Sequence, residues 1–252
     1  MTSTKKSRRW YSHRVEQEVL MCRWGHFGRP VLLFPTAGGD AEEIERMLMI
    51  RVLAPLLEAG KIKVYSIDSL PTRVWNDGES SGRHATWLLN AYHQLIFEEA
   101  VPAIRQDCED DSIEVVSAGA SIGAFNALAV ACRRPDLFRR AICLSGTYDV
   151  DRFIRGRDDE GVPPGDHDYH VSSPLRFLPS LGEGKQIQLL RERLIIFAHG
   201  GGRWETPEQD WRMASVLGAQ GVPNRVDPWG SDYDHDWPSW RAMMPKYLGE
   251  VD

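Results

Sequence analysis

The chain has 252 residues, 42% of them hydrophobic and 26% charged, which places it among ordinary soluble globular sequences. Its formal net charge of -6 argues against a nucleic-acid partner, whose electrostatic footprint would be basic. No apolar run approaches the ~18 residues needed to span a bilayer, and the basic cluster Lys5, Lys6, Arg8 and Arg9 lacks the apolar segment of a targeting signal.

In chain order, residues 1–14 read as a solvated end, followed by a strand at Glu16–Met21, a turn at Gly25–Pro30 and a buried strand at Val31–Phe34. A helical pattern runs from Ala41 to Ala59 and stops at Gly60. Pro55 within it predicts either a kink or two helices. Lys63–Ile67 alternates as a strand, Arg83–Arg105 is helical and Ile113–Ser117 is a short buried strand. A helix over Ser121–Arg134 and a strand over Ala141–Leu144 come next.

From Asp149 to Gly184 the pattern breaks into an irregular excursion, with Gly156, Asp158, Asp159, Gly161, Pro163, Pro164 and Gly165 in close succession. Leu194–Ala198 (strand), Thr206–Leu217 (helix), Arg225–Asp227 (strand) and Pro238–Leu248 (helix) complete the chain. Strands alternating with helices of this length predict one α/β domain over residues 1–252, a mostly parallel central sheet with helices on both faces. In such sheets the site lies at the C-terminal ends of the strands.

The stretch "VVSAGASIGAFNALAV", Val115 to Val130, places one serine between glycines at a strand-to-helix junction. A nucleophile there must bend sharply to expose its Oγ, so its neighbours must be small. Gly119, Ala120, Gly123 and Ala124 meet that demand. A G-x-S-x-G string arises by chance in roughly one such chain in ten, so the strand before and the helix after carry the weight. Ser121 is the candidate nucleophile, and the amide of Ile122, at the positive end of the helix, is a candidate oxyanion donor.

This architecture orders its groups as nucleophile, acid, histidine. His235, in "YDHDWPSW", follows the last strand and is the candidate general base. The acid is expected after Leu194–Ala198, in "HGGGRWETPEQD"; Glu205 lies in the loop itself and is the first choice, with Asp210 second. Asp234 and Asp236 flank the histidine too closely to orient its ring. His199-Gly200-Gly201-Gly202 falls after the nucleophile, so it reads as a turn delivering Glu205 rather than as oxyanion amides. The second oxyanion donor is sought in "FPTAGGD", at Ala37.

Two further readings stand beside these. "DHDYH", Asp166 to His170, offers histidines and carboxylates for a metal, but without a helical i,i+4 pair. Phosphate and dinucleotide motifs are absent. Cys22, Cys108, Cys132 and Cys143 have no metal-type spacing and read as reduced thiols, which fits a cytoplasmic location.

The segments "LLFPTAGGD", "GASIGAFNALAVACRRPDLFRRAICLSGTYDV", "SPLRFLPSL" and "HDWPSWRAMMPKYL" resemble the "Putative esterase" family of the α/β-hydrolase superfamily, with its esterase D-type enzymes, feruloyl esterases and mycolyltransferases. The resemblance spans about residues 30–250. It implies an α/β-hydrolase fold, ester hydrolysis or acyl transfer to an alcohol, a small-molecule ester substrate and no cofactor. It matches Ser121 to the nucleophile, His235 to the base and Glu205 to the acid, with Ile122 where many members have methionine. A catalytically silent fold used for binding is the reading of a different class, and the sequence leaves a homo-oligomer open.

Overall fold

The computed structural model describes residues 5–71, 80–151, 154 and 165–251. Eight strands form one sheet: β1 (Lys6–Ser12), β2 (Gln17–Trp24), β3 (Arg29–Phe34), β4 (Ile62–Ile67), β5 (Val115–Ala120), β6 (Phe138–Leu144), β7 (Leu194–His199) and β8 (Asn224–Pro228). Their order is β1-β2-β4-β3-β5-β6-β7-β8. β1 pairs with β2 and β2 with β4 in antiparallel fashion, and every other pair is parallel.

Alternate side chains of the central strands point to opposite faces, and both faces are buried. Val31 and Leu33 of β3 pack with Ile142, Leu144, Ile196 and Ala198 on one face. Leu32 and Phe34 pack with Cys143, Ile195 and Phe197 on the other. The first face is covered by α1 (Glu43–Arg46), α2 (Met49–Glu58) and α10 (Trp237–Gly249), through Ile44, Leu53, Met243 and Tyr247. The second is covered by α3 (Gly82–Leu95), α4 (Val101–Cys108) and α5 (Ile122–Arg133), with α8 (Lys185–Leu190) and α9 (Pro207–Ala219) beside them. Near-continuous apolar strands such as "RPVLLF" are the sequence mark of a sheet covered on both sides.

Several expectations change in detail. The end read as solvated is an edge strand: Lys6–Ser12 pairs residue for residue with β2, while most of its side chains stay exposed. The Ala41–Ala59 pattern is two helices, and the break lies at Leu48, which holds a left-handed φ of 63°, while Pro55 is accommodated inside α2. The long helix after Arg83 passes through a π-helical turn at Ile96–Ala100 before α4. Within the 149–184 excursion, α6 (His167–Ser172), α7 (Pro174–Phe177) and a 3-10 turn at Leu178–Ser180 form. The Gly156–Pro164 part of the glycine- and proline-rich run lies outside the described residues.

The "DHDYH" carboxylates are spent on docking α6. Asp166 caps it by accepting from the Tyr169 N–H and the Thr86 hydroxyl, and Asp168 accepts from Asn90 at 2.7 Å. Among the described residues no three His, Cys, Asp or Glu side chains gather as a metal site, and no helix is long and apolar enough to cross a membrane. The four cysteines are free, three of them buried.

Candidate active site

The parallel strands deliver their C-terminal ends to one edge, where the loops after β3, β5, β6, β7 and β8 meet. β5 ends at Ala120, α5 begins at Ile122, and Ser121 between them holds φ 55° and ψ −122°, a conformation costly for any residue with a Cβ. Its N–H donates to the Leu144 carbonyl at 2.9 Å, which locks the turn against β6. The flanking glycines are required by contact. A Cβ on Gly123 would stand 2.6 Å from the Phe34 carbonyl oxygen and 2.7 Å from that of Pro35, and one on Gly119 would enter the Gly123 carbonyl. Thus the end of β3, the elbow and the start of α5 converge too closely for side chains.

His235 lies on the loop between β8 and α10. Its Nε2 is 3.0 Å from Ser121 Oγ. Its backbone N–H donates to the Arg203 carbonyl at 3.0 Å, and its ring meets Trp240 edge to face at 5.2 Å. The flanking aspartates act on the backbone instead: Asp234 accepts from the Arg203 N–H at 2.7 Å, and Asp236 caps α10 through the Trp237 N–H.

Glu205 and Asp210 part company here. The Glu205 side chain is 1% exposed, and its Oε2 faces His235 Nδ1 at 3.7 Å. That is longer than a hydrogen bond, as catalytic contacts often are before substrate binds. Its Oε1 accepts from the Ser145 hydroxyl at 2.6 Å and the Gly200 N–H at 3.2 Å. Burial pushes the Glu205 carboxyl up, but His235, Ser145 and the Gly200 amide outweigh it and hold the group below the ordinary glutamate range. Asp210, inside α9, turns away to His199 Nδ1 at 2.8 Å. Its burial raises its carboxyl above the ordinary aspartate range, against the pull of His199.

The glycines of "HGGG" let this loop pass the 230–234 loop. A Cβ at Gly200 would strike the Tyr233 carbonyl and one at Gly202 the Asp234 carboxylate, while Gly201 N–H donates to Gly230 at 2.8 Å. The loop is a turn that brings Glu205 to the histidine.

On the other side, Phe34 pairs with Gly119 in the sheet register, so the 35–39 loop runs beside the elbow with Ala37 exposed. Glu43 clamps that loop, accepting from both the N–H and the hydroxyl of Thr36 at 2.7 Å. Asp68 accepts from the Ala41 N–H at 3.1 Å. The Ile122 amide sits in the first turn of the 12-residue helix α5, where N–H groups have no helical acceptor and the dipole is positive.

The residues at the site that sequence reasoning missed are Ser145 and Glu43, whereas Trp240 was expected near it without a partner assigned. Ser145 stands in "CLSG", directly after the strand expected at Ala141–Leu144. A polar residue followed by glycine at a strand end marks a turn there, but not the partners the serine meets.

The "Putative esterase" family model matches residues 74–251. No curated protein sequence matches the chain. Among solved structures, a ferulic acid esterase superposes with a TM-score of 0.74 at 14% identity, over 100% of this chain and 98% of that one. An S-formylglutathione hydrolase from Agrobacterium tumefaciens gives 0.72 at 11% identity, over 98% and 94%. The substrate-bound fluorophosphonate-binding serine hydrolase F of Staphylococcus aureus gives 0.72 at 14%, over 100% and 99%. At such identities the superpositions establish a shared α/β-hydrolase fold, and the family match covers well over half the sequence. The chain belongs to the "Putative esterase" family and is a carboxylic ester hydrolase on the α/β-hydrolase fold.

Proposed function

We propose that the protein is a serine carboxylesterase working through Ser121, His235 and Glu205. The observation that carries this reading is the 3.0 Å approach of His235 Nε2 to Ser121 Oγ at a strained strand-to-helix turn. His235 removes the Ser121 proton as Oγ attacks the ester carbonyl carbon, and the carbonyl electrons move onto oxygen. The amides of Ile122 and Ala37 receive that oxyanion, the first reinforced by the α5 dipole. As the tetrahedral intermediate collapses, His235 returns the proton to the departing alcohol and leaves an acyl-enzyme on Ser121. A water deprotonated by His235 then releases the acid. Glu205, ionised and held below the ordinary range, stabilises the imidazolium in both halves of the cycle.

The substrate is a small carboxylic ester, and an alcohol in place of water would make the same intermediate a transferase. Hydrolysis of p-nitrophenyl acetate and butyrate by the wild type, Ser121→Ala and Glu205→Gln tests the reading. Turnover by the wild type, its loss in Ser121→Ala and a fall of roughly 10²- to 10⁴-fold in Glu205→Gln are expected. A folded wild type that turns over neither ester would place the chain among binding proteins of this fold.

A further inference from the structure

Ser145 sits at the end of β6, 3% exposed, in the left-handed region at φ 47°. No turn glycine occupies that strained position, although Gly146 follows directly. Its N–H is fixed to the Ala198 carbonyl at 2.7 Å, so the backbone is held from the neighbouring strand β7. Its hydroxyl has two partners: Trp240 Nε1 at 3.0 Å and Glu205 Oε1 at 2.6 Å. The indole N–H can only donate, so Ser145 Oγ accepts from Trp240. Its single proton therefore points to Glu205.

That direction decides how the carboxylate is presented. Oε1 takes the Ser145 proton and the Gly200 N–H, which leaves Oε2 facing His235 Nδ1. The same indole that orients Ser145 lies edge-on against the His235 ring at 5.2 Å. Trp240 is on α10, Ser145 directly after β6 and Glu205 after β7, so a chain of two hydrogen bonds, indole to hydroxyl to carboxylate, joins three separate parts of the fold.

We infer that Ser145, its hydroxyl oriented by Trp240, is a positioning residue that fixes Glu205 with one oxygen turned to His235. The inference rests on the role proposed above for Ser121, His235 and Glu205. Ser145 touches no reacting atom and acts through the carboxylate.

The test uses p-nitrophenyl acetate hydrolysis across the acid limb of the pH profile, with Ser121→Ala as control. Ser145→Gly removes the hydroxyl and relieves the positive φ, which offsets part of the cost of the two lost hydrogen bonds, and its folding is checked by circular dichroism. Ser145→Ala accompanies it. A hydrogen bond to a charged group lost from the site lowers kcat by about tenfold to a hundredfold, while KM stays within about twofold. Glu205 loses one of the interactions that hold its carboxyl down, so the coupled Glu205–His235 pair binds its proton more tightly and the acid limb moves to higher pH. Trp240→Phe keeps the ring but deletes the donor, and it lowers kcat less. That smaller effect vanishes when Trp240→Phe is combined with Ser145→Gly, because the indole N–H acts through Ser145.

A Ser145→Gly protein with wild-type kcat and an unmoved acid limb overturns the inference alone, provided Ser121→Ala is inactive. Additive losses in the double variant overturn the relay from Trp240. Wild-type activity in Ser121→Ala overturns the reading on which the inference stands.

Discussion

Ser121 holds φ 55° and ψ −122°, a backbone state that costs a non-glycine residue about 1–3 kcal/mol. The turn nevertheless carries a serine, so stability is given up for a half-buried hydroxyl turned to His235. Ser121→Gly should therefore raise unfolding free energy in urea by about 1 kcal/mol while abolishing ester hydrolysis, the relief of strain being partly offset by glycine's unfolded-state entropy. A less stable glycine variant would mean that the turn is unstrained. Ser121 and His235 were legible in the sequence because the elbow imposes a local rule, small residues around one hydroxyl, and the fold imposes an order. Ser145 was not. Its role depends on partners 60 and 95 positions away in the chain, and a buried serine after a strand carries no local mark of them.

The loop after β3 is held by carboxylates, Glu43 at its start and Asp68 at its end. Glu43 takes both polar hydrogens of Thr36, and Gly39 is kept side-chain-free because a Cβ would stand 2.6 Å from that carboxylate. Burial raises the Glu43 carboxyl above its ordinary 4.5, against the two Thr36 hydrogen bonds. A raised folded-state value means that the native state binds the proton more tightly than the unfolded chain, so ionisation costs stability. Glu43→Gln, an isostere that cannot ionise, should match the wild type in acid. It should gain on it as pH rises from about 4.5 through the raised value, as read by denaturant midpoints at successive pH values. A gap that narrows with rising pH would contradict the assignment. Most elements were readable from periodicity, since β3, β5 and β7 are near-continuous apolar runs between turn signals. β1 was not, because "KSRRWYS" is an edge strand with only its final serine buried and shows no apolar alternation. The break at Leu48 carried no glycine to announce it.

At the scale of the molecule, alternating strands and helices implied a parallel sheet, but the order in which the strands lie is a tertiary fact. The order is what brings five loops to one edge, with Ser121 on the central strand's exit and His235 and Glu205 arriving from the β7–β8 side. It also leaves β1 as the antiparallel margin of the sheet. Lys5, just before β1, binds Glu42 at 2.5 Å and Glu45 at 2.6 Å, tying that margin to α1. Deleting residues 1–12 would uncover the ladder groups of β2, an open edge that templates association. The truncated protein should melt at lower temperature and gain mass with concentration in light scattering, while any folded fraction keeps esterase activity. A truncated chain as stable and monodisperse as the full one would show that β1 contributes nothing to the sheet.

The central claim is that ester cleavage passes through a covalent bond to Ser121. Labelling the wild type with a fluorophosphonate, then mapping the adduct by mass spectrometry after proteolysis, tests it most directly. The account predicts one phosphonyl group, on the peptide containing Ser121, and no adduct in Ser121→Ala. An active wild type that resists the reagent, or that carries the adduct on another residue, would contradict it.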